Sequence, residues 1–389
     1  MNLAVVLFVA VATAAAAPQQ RASSMPKSVL RAIELDDAES VSDAMRRAQL
    51  NVDDLMLMAA RDGAPSCLKV ALQEGSVDHQ RDDGVSALMF ASQNGHDVCV
   101  RLLLEAGARA DIFQADGSTP AHYAARHGNS GCLSLLLEAG ADASRQRNNG
   151  LTPLMIAASE ARVDCVRLLL GAKCGVSTQL ADGTSALHFA CLAGDTECVR
   201  LLLKARAQVD AAGEGTGPPL FGACAADHAA IADMLLKAGA KAGQASSDGS
   251  TALHLAAARG AAECVALLCG SGADPNAVRR DGSSPLQYAC IGAHTPCVRE
   301  LLGHGADPDL QRRDGATACH LAAQAGSEEA LALLLASGAN KNSLMVNARA
   351  QGNMPKMTTP LDLAIQARRS DCAKFLLKQG ALQSRELME

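Results

Sequence analysis

A self-similarity with a period of 33 residues is the feature that most restricts how this 389-residue chain can fold. The period holds without a gap from Asp83 to Val346. Successive repeats begin at Asp83, Asp116, Asn149, Asp182, Gly215, Asp248, Asp281 and Asp314. A 32-residue repeat precedes them at 51–82, a half-matching one precedes that, and a last one runs from about Lys356. Repetition on this scale indicates an array in which stacking creates the core, because a single repeat cannot bury its apolar face alone.

Each repeat carries the local signals of two short helices. A Ser or Thr followed by Pro or Ala, as in Thr119-Pro120, combines an N-cap hydroxyl with a residue suited to the first helical position. A short apolar segment follows and ends at a glycine such as Gly260, where a turn favours positive φ. "CVRLLL" and its variants then have the apolar spacing of a second helix. The Asp-Gly pair that starts most repeats indicates a tight turn.

The period, the order of these signals and motifs such as "DGSTPAHYAARHGNSGCLSLLLEAGA" resemble the ankyrin repeat. The resemblance covers roughly residues 28–388, which is nearly everything outside the N-terminal segment. It implies an all-α repeat solenoid of about ten full repeats and one degenerate N-terminal repeat, each a helix-turn-helix with a hairpin-like finger. We therefore expect residues 24–389 to form an ankyrin repeat array.

Histidine occupies one position in every second repeat, which makes it the first candidate for chemistry. His122, His188, His254 and His320 lie 66 residues apart in sequence. At a helix-packing distance of about 10 Å per repeat, successive histidines would be about 20 Å apart, too far to share a metal at bonds of about 2 Å. The ankyrin resemblance implies that this histidine, in the Thr-Ala-Leu-His segment at 251–254, braces the turn by hydrogen bonding. We therefore interpret it as structural.

Cysteine is the second candidate, with 14 residues in the chain. Eight of them fall at one repeat position: Cys67, Cys99, Cys132, Cys165, Cys198, Cys264, Cys297 and Cys372. Adjacent members would be about 10 Å apart, beyond the Cα separation of about 7 Å that a disulfide can bridge. We expect them to be buried and to pack as small apolar side chains. The pairs closest to a possible bridge are Cys191 with Cys198 and Cys290 with Cys297.

The first 22 residues differ from the rest of the chain and predict a signal-like or transit-like segment. The apolar run from Leu3 to Ala17 is about as long as a signal-peptide core and short for a membrane span. Ala15 and Ala17 fit a cleavage site, whereas Pro18 and the lack of early basic residues argue against one. Secreted chains usually pair their cysteines, whereas these cysteines are spaced for packing, which favours the cytoplasm. The N-terminal segment instead favours a secretory or organellar compartment, so localisation stays open between the two.

Charge and motifs narrow the class of function. The net charge of −6 and a pI near 5.9 give no support for nucleic-acid binding. No segment after the N-terminal run is apolar enough to span a membrane. The chain has no Gly-Lys-Ser/Thr loop, nucleophile elbow or kinase signature, and "GEGTG" at 213–217 lacks the strand-to-helix context of a phosphate loop. We therefore expect a protein that is not an enzyme and that needs no cofactor or metal.

The surface built by the repeats is the remaining place for function. The ankyrin resemblance implies binding on the concave side, at the finger tips and the exposed face of the first helices. "RRDG" occurs at 279–282 and again at 312–315, on adjacent fingers. The candidate binding residues are Arg259, Arg279, Arg280, Arg312 and Arg313. Guanidinium groups suit carboxylates or phosphates, so these arginines predict a basic patch. The alternative interpretation is that they pair with the following Asp281 or Asp314.

The insertion "NARAQGNMP" at 347–355 is a second candidate contact region, because it interrupts an otherwise gapless array and loops often carry contacts. The alternative, which the sequence supports equally, is that the array tolerates these extra residues without using them for binding. Aromatic residues make up only 2% of the chain, so we expect a polar, arginine-assisted interface. The predicted function is a monomeric, non-catalytic scaffold or adaptor that binds protein partners with an acidic surface. The alternative is a secreted or organelle-targeted ankyrin binder that acts as an effector or as a regulatory subunit of an enzyme.

Overall fold

Helix pairs at the predicted period make up nearly all of the computed structural model, which describes residues 25–48, 51–213, 216–347 and 356–388. The chain divides into two compact units, Met1–Gln208 and Val209–Glu389, which we call the N-terminal unit and the C-terminal unit. The targeting segment predicted at 1–22 lies outside the described residues, as do residues 348–355 of the predicted insertion.

The described residues of the N-terminal unit form six helix pairs. Its helices are α1 (Lys27–Glu34), α2 (Ala38–Ala48), α3 (Val52–Asp62), α4 (Pro65–Ala71), α5 (Ala87–Asn94), α6 (Asp97–Glu105), α7 (Pro120–His127), α8 (Ser130–Glu138), α9 (Pro153–Ser159), α10 (Val163–Gly171), α11 (Ala186–Ala193) and α12 (Thr196–Lys204). Odd-numbered helices are the first and even-numbered helices the second of each pair. The degenerate N-terminal repeat predicted from the sequence corresponds to the pair α1 and α2.

Five helix pairs, one two-stranded hairpin and a short last helix make up the part of the C-terminal unit that the structure describes. Its elements are α13 (Pro219–Ala225), α14 (Ala229–Lys237), α15 (Ala252–Arg259), α16 (Ala262–Gly270), α17 (Pro285–Ile291), α18 (Thr295–Gly303), α19 (Ala318–Ala325), α20 (Glu328–Ala336), β1 (Met345–Asn347), β2 (Lys356–Thr358), α21 (Pro360–Gln366), α22 (Ser370–Lys378) and α23 (Ser384–Met388). The eleven pairs of the two units match the predicted ten full repeats and one degenerate repeat.

The predicted caps set the ends of the first helices. Thr251 is the N-cap of α15, where its side chain accepts from the backbone of the third helical residue. Gly260 ends the same helix with φ of +79°, in the left-handed region where glycine has no steric penalty. Five other helix pairs make this turn without glycine and with φ between +52° and +59°, at Asp36, Ala161, Asp227, Ala293 and Arg368. The turn is therefore imposed by the packing of the repeat as well as by glycine.

The repeated histidine braces each finger, as the sequence predicts. The amide of Thr251 donates to His254 Nδ1 over 3.2 Å, and His254 Nε2 donates to the carbonyl of Ser283 over 3.1 Å. Because a carbonyl can only accept, Nε2 carries the proton. Burial lowers the pKa of His254 to about 4, so the ring is neutral at pH 7. His122 and His320 make the same two contacts, one with the N-cap amide of their own helix and one with a carbonyl of the following repeat, that of Leu151 or Thr358.

Glutamine performs the same task in one repeat of the C-terminal unit. Gln287 Oε1 accepts from the amide of Ser284 over 3.1 Å, and Gln287 Nε2 donates to the carbonyl of Ala316 over 3.1 Å. Gln287 Oε1 thus takes the accepting role of His254 Nδ1, and Gln287 Nε2 takes the donating role of His254 Nε2. The position therefore requires a hydrogen-bonding brace and does not require a titratable group.

The cysteines of the repeated position lie in the core of the stack. Together with the valine and leucine of "CVRLLL" they are 0 to 1% exposed, as for Cys165, Val166 and Leu169. All fourteen cysteines are free, including the two pairs that came closest to a bridge in the sequence. Burial raises the pKa of most of these thiols, for example that of Cys198 to about 12, which keeps them protonated and unreactive. The prediction that they pack as small apolar side chains is confirmed.

A hairpin forms around the insertion, which the sequence predicts only as a loop. Strands β1 and β2 are antiparallel, with Met345 opposite Thr358 and Asn347 opposite Lys356. The amide of Val346 in β1 also donates to the carbonyl of Asp314 over 2.8 Å. Strand β1 therefore keeps the backbone bond that an ordinary finger makes to the one before it, as Arg313 does with Asp281.

Candidate functional site

Each finger is built around the aspartate that starts a repeat. Asp248 Oδ1 accepts from the amide of Ser250 over 3.0 Å, which closes the tight turn at Gly249, a residue with φ of +82°. The backbone carbonyl of Asp248 accepts from the amide of Arg280 over 2.9 Å, and that of Asp281 accepts from the amide of Arg313 over 3.1 Å. Consecutive fingers of the C-terminal unit are thus held in register by their backbones.

Adjacent residues of one finger have opposite environments. We call the second residue before the starting aspartate the inner finger position, and the residue directly before the aspartate the outer finger position. Arg279 and Arg312 occupy inner positions, where only 28% and 29% of their side chains are exposed. Arg280 and Arg313 occupy outer positions and are exposed. The predicted basic patch therefore divides into two inward and two outward arginines.

Arg279 is held by the finger before it and the helix after it. Its Nη2 donates to Asp248 and its Nη1 to the hydroxyl of Tyr288, while its Cζ lies 5.6 Å from the centre of the Tyr288 ring. Burial acts to raise the pKa of Asp248, but hydrogen bonds from Ser246, Ser250 and Arg279 outweigh it and the pKa is lowered. Asp248 is therefore ionised at neutral pH, and Arg279 is engaged in structural contacts.

The alternative interpretation, pairing with the following aspartate, describes only part of the arrangement. Arg312 Nε approaches Asp314 Oδ1 to 3.8 Å, as that interpretation has it. Arg279 instead pairs with Asp248, which precedes it by 31 residues. Neither the Arg280 nor the Arg313 guanidinium has an ion-pair or hydrogen-bond partner among the described residues. These two side chains, together with the exposed side chain of Arg259 at the end of α15, form what we call the arginine surface.

Acidic residues are distributed unequally between the two rows of helices. The eight first helices from α5 to α19 contain no Asp or Glu, whereas each of the eight second helices from α6 to α20 contains at least one. From α5 to α20, the carboxylates of the helices therefore lie on the second helices of the pairs. The first helices from α5 to α19 have no acid of their own to neutralise the outward arginines, even though the chain as a whole carries a charge of −6.

A contact between finger and helix was missed in the sequence. The residue at an inner finger position touches the residue nine places later, on the following first helix. Arg279 contacts Tyr288, the Arg81 Cζ lies 5.9 Å from the centre of the Phe90 ring, and the hydroxyl of Tyr123 donates to Gln114. The constant spacing of nine residues between these pairs is a signal that could have separated Arg279 from Arg280.

Phe113 is the second feature that was missed. It lies one residue before an inner finger position of the N-terminal unit and is 52% exposed. The guanidinium of Arg145, on the next finger, lies over it with Cζ 5.1 Å from the ring centre. Phe113 is the one aromatic residue among the exposed large apolar side chains of the described chain. Among the described residues, Phe113 is therefore the one aromatic side chain with most of its surface in solvent.

Two further features were searched for within the residues that the structure describes. No cluster of three or more His, Cys, Asp or Glu side chains there could hold a metal ion. None of the described helices combines the length and the apolar character that a membrane crossing requires.

Several known proteins are similar to this chain. Cortactin-binding protein 2 from Ornithorhynchus anatinus is 49% identical over 55 residues, which are 14% of this chain and 3% of that protein. Cortactin-binding protein 2 from Mus musculus is 46% identical over 59 residues, 15% of this chain and 4% of that protein. The chain thus spans only a small part of the curated relatives that it matches.

A solved structure and a family profile extend the similarity over most of the chain. The human ASB11 ankyrin repeat domain superposes with a TM-score of 0.54 at 26% sequence identity, covering 58% of this chain and all of that one. The profile for ankyrin repeats in three copies matches residues 55–147, 140–213, 213–279, 253–345 and 309–385. With this match added to the helix pairs, the histidine brace and the fingers, the chain belongs to the ankyrin repeat family.

Proposed function

We propose that the chain is a non-catalytic scaffold or adaptor whose arginine surface, Arg259, Arg280 and Arg313, binds an acidic segment of a partner protein. The observation that carries this proposal is the exposure of Arg280 and Arg313 on adjacent fingers with no acidic partner among the described residues. Ankyrin repeats are a protein-binding fold, which supports a protein as the partner.

The charge arrangement favours a carboxylate-bearing partner. Fork-shaped guanidinium groups bind carboxylates through two parallel hydrogen bonds, and exposed arginines at an interface raise the rate of association with an acidic surface. The first helices α15, α17 and α19 contain no carboxylate, so an approaching acidic segment meets no repulsion from that row. The inner arginines contribute indirectly, because Arg279 holds the finger that carries Arg280.

Affinity capture from native extract with the full chain tests this proposal. Arg280→Glu combined with Arg313→Glu should abolish capture of the partner, because each substitution replaces an attraction by a repulsion. The matched control is Lys237→Glu combined with Lys374→Glu, two exposed lysines on second helices of the same unit. The control changes the net charge equally and should leave capture intact.

The two variants separate a local site from a general charge effect. Equal capture by both variants and the unmodified chain would overturn the proposal. Equal loss from both would show that net charge alone governs the interaction, which would also contradict a site at the fingers. Circular dichroism melts of the arginine variant should match those of the unmodified chain. Those of the control should change little, since the exposed ion pairs that Lys237 and Lys374 form with Asp233 and Asp371 contribute about 1 kcal/mol or less.

A further inference from the structure

We propose that the N-terminal unit carries a second, independent docking site, formed by Phe90, Phe113, Tyr123 and Arg145, for a protein segment in which an apolar side chain stands beside a carboxylate. We call these four residues the aromatic surface. The proposal does not depend on the arginine surface of the C-terminal unit, since it uses different residues on different fingers.

The exposure of Phe113 is not required by the fold. At the same finger position other repeats carry Gln80, Gln146, Gln179 and Gln311. The finger therefore forms equally well with a polar side chain. Leaving half of a phenylalanine side chain in water gives up roughly 1 kcal/mol of free energy from apolar burial, which contact with a partner could recover. Exposed aromatic side chains with this property are frequent anchors in protein interfaces.

The aromatic surface has a rigid base. Ile112, next to Phe113, is 2% exposed and forms a buried cluster with Val85 and Met89, against which Phe90 and Tyr123 pack. The hydroxyl of Tyr123 donates to Gln114, the residue on the other side of Phe113. The backbone carbonyl of Phe113 accepts from Gln80 Nε2 over 2.9 Å. The finger and the two helices are thus held together by contacts on both sides of Phe113 along the chain, which limits the entropy lost on binding.

Arg145 identifies the chemistry that would lie next to the apolar anchor. Two neighbouring arginines of these fingers are neutralised, Arg109 by Asp78 and Arg147 by Asp116. Arg145 is exposed, stacks on Phe113 and has no acidic partner among the described residues. Helices α5 and α7, which carry Phe90 and Tyr123, contain no acidic residue. A carboxylate on the partner would therefore complete the pair that this arginine lacks.

Selection of random short peptides displayed on phage against the full chain tests this inference. We expect enriched peptides to combine Leu, Met or Phe with a nearby Asp or Glu. Phe113→Gln should weaken their binding at least tenfold, a loss of about 1.4 kcal/mol. Its matched control is Val278→Gln, at the equivalent finger position of the C-terminal unit, where 51% of Val278 is exposed. This control should leave the affinity unchanged.

Charge reversal distinguishes the two surfaces. Arg145→Glu should weaken the selected peptides as Phe113→Gln does, and Arg280→Glu with Arg313→Glu should leave them bound. Peptides that bind Phe113→Gln as tightly as the unmodified chain would overturn the inference, and so would a selection that enriches nothing. Peptides that depend on Arg280 and Arg313 alone would overturn the aromatic surface while supporting the arginine surface. Unchanged thermal melts of Phe113→Gln would show that any loss is local, as expected from glutamine in other fingers.

Discussion

The two units leave different kinds of finger residue exposed to solvent. In the N-terminal unit the exposed residue is Phe113, and the arginine above it, Arg145, stacks on the ring. In the C-terminal unit the aromatic residue is the half-buried Tyr288, and Arg279 covers it. There Arg280 is left in solvent, and the position equivalent to Phe113 carries the exposed Val278. One unit therefore presents an aromatic side chain beside a charge, and the other presents arginine beside a smaller aliphatic side chain.

The difference shows how an ankyrin scaffold separates structure from recognition. The caps, the histidine brace and the core cysteines recur in both units, so they carry no information about a partner. The three residues that precede each starting aspartate differ from finger to finger. Because the backbone bonds of the finger do not depend on those side chains, they are free to be selected for binding.

The largest expected effect concerns the buried histidine brace, which both units contain. Below about pH 6.5 unfolded histidine takes up protons, whereas His254 and His320 stay neutral until about pH 4. Stability contributed by these neutral rings is complete above about pH 6.5 and is lost as the pH falls towards 4. At about pH 5 each ring should cost roughly 2 kcal/mol of unfolding free energy. The double variant His254→Gln with His320→Gln should therefore lose about 4 kcal/mol less unfolding free energy on acidification. Urea unfolding at about pH 7 and at about pH 5 measures this loss.

Gln287 makes this substitution a fair test, since glutamine already braces one finger of the same unit. His122→Gln in the N-terminal unit should reduce the acid-induced loss by about half as much, because it removes one such ring, whose pKa burial lowers to about 4. An acid sensitivity that is unchanged by all three substitutions would mean that carboxylate protonation, not the histidine brace, controls acid unfolding.

A smaller effect separates inward from outward arginines. Arg279→Ala should lower the unfolding free energy by about 1 kcal/mol, because Asp248 and the Tyr288 hydroxyl lose their shared donor. Arg280→Ala should change it by less than about 0.5 kcal/mol. Urea unfolding of both variants at neutral pH measures the difference. Equal losses would contradict the division of the finger into inner and outer positions.

The smallest effect sharpens the contrast between the two surfaces. Raising salt from about 0.05 to about 0.3 M should weaken a partner of the arginine surface severalfold, because exposed charges are screened over a shorter length. Peptides that depend on Phe113 should lose less, since part of their affinity is apolar burial. Plots of affinity against salt give the two slopes. Equal slopes would indicate that both surfaces bind mainly through charge.

Most of the repeat could be predicted from the sequence because its signals are local. The Thr N-cap, the glycine at the helix end and the spacing of "CVRLLL" each depend on a few neighbouring residues, and the structure has all of them. The recurrence of His254 at 66 residues argued against a shared metal, whereas its bracing role was what the ankyrin resemblance implied. The count of repeats followed in the same way.

The arginine site could be predicted only in outline. Arg279 and Arg280 are adjacent in sequence, and nothing in "RRDG" alone shows which one turns inward. That choice depends on Tyr288 and Asp248, nine residues after and 31 residues before Arg279. The hairpin of β1 and β2 and the last helix α23 were likewise missed, because pairing across an insertion and docking at a chain end depend on contacts rather than on local pattern.

The hairpin at the insertion has a consequence for engineering. Since Val346 keeps its backbone bond to Asp314, the stack tolerates additional sequence between β1 and β2 without a change in its own spacing. The connection between β1 and β2 is therefore a suitable place to insert an epitope, a fluorescent reporter or a binding peptide. The repeats before and after it would keep their own sequence.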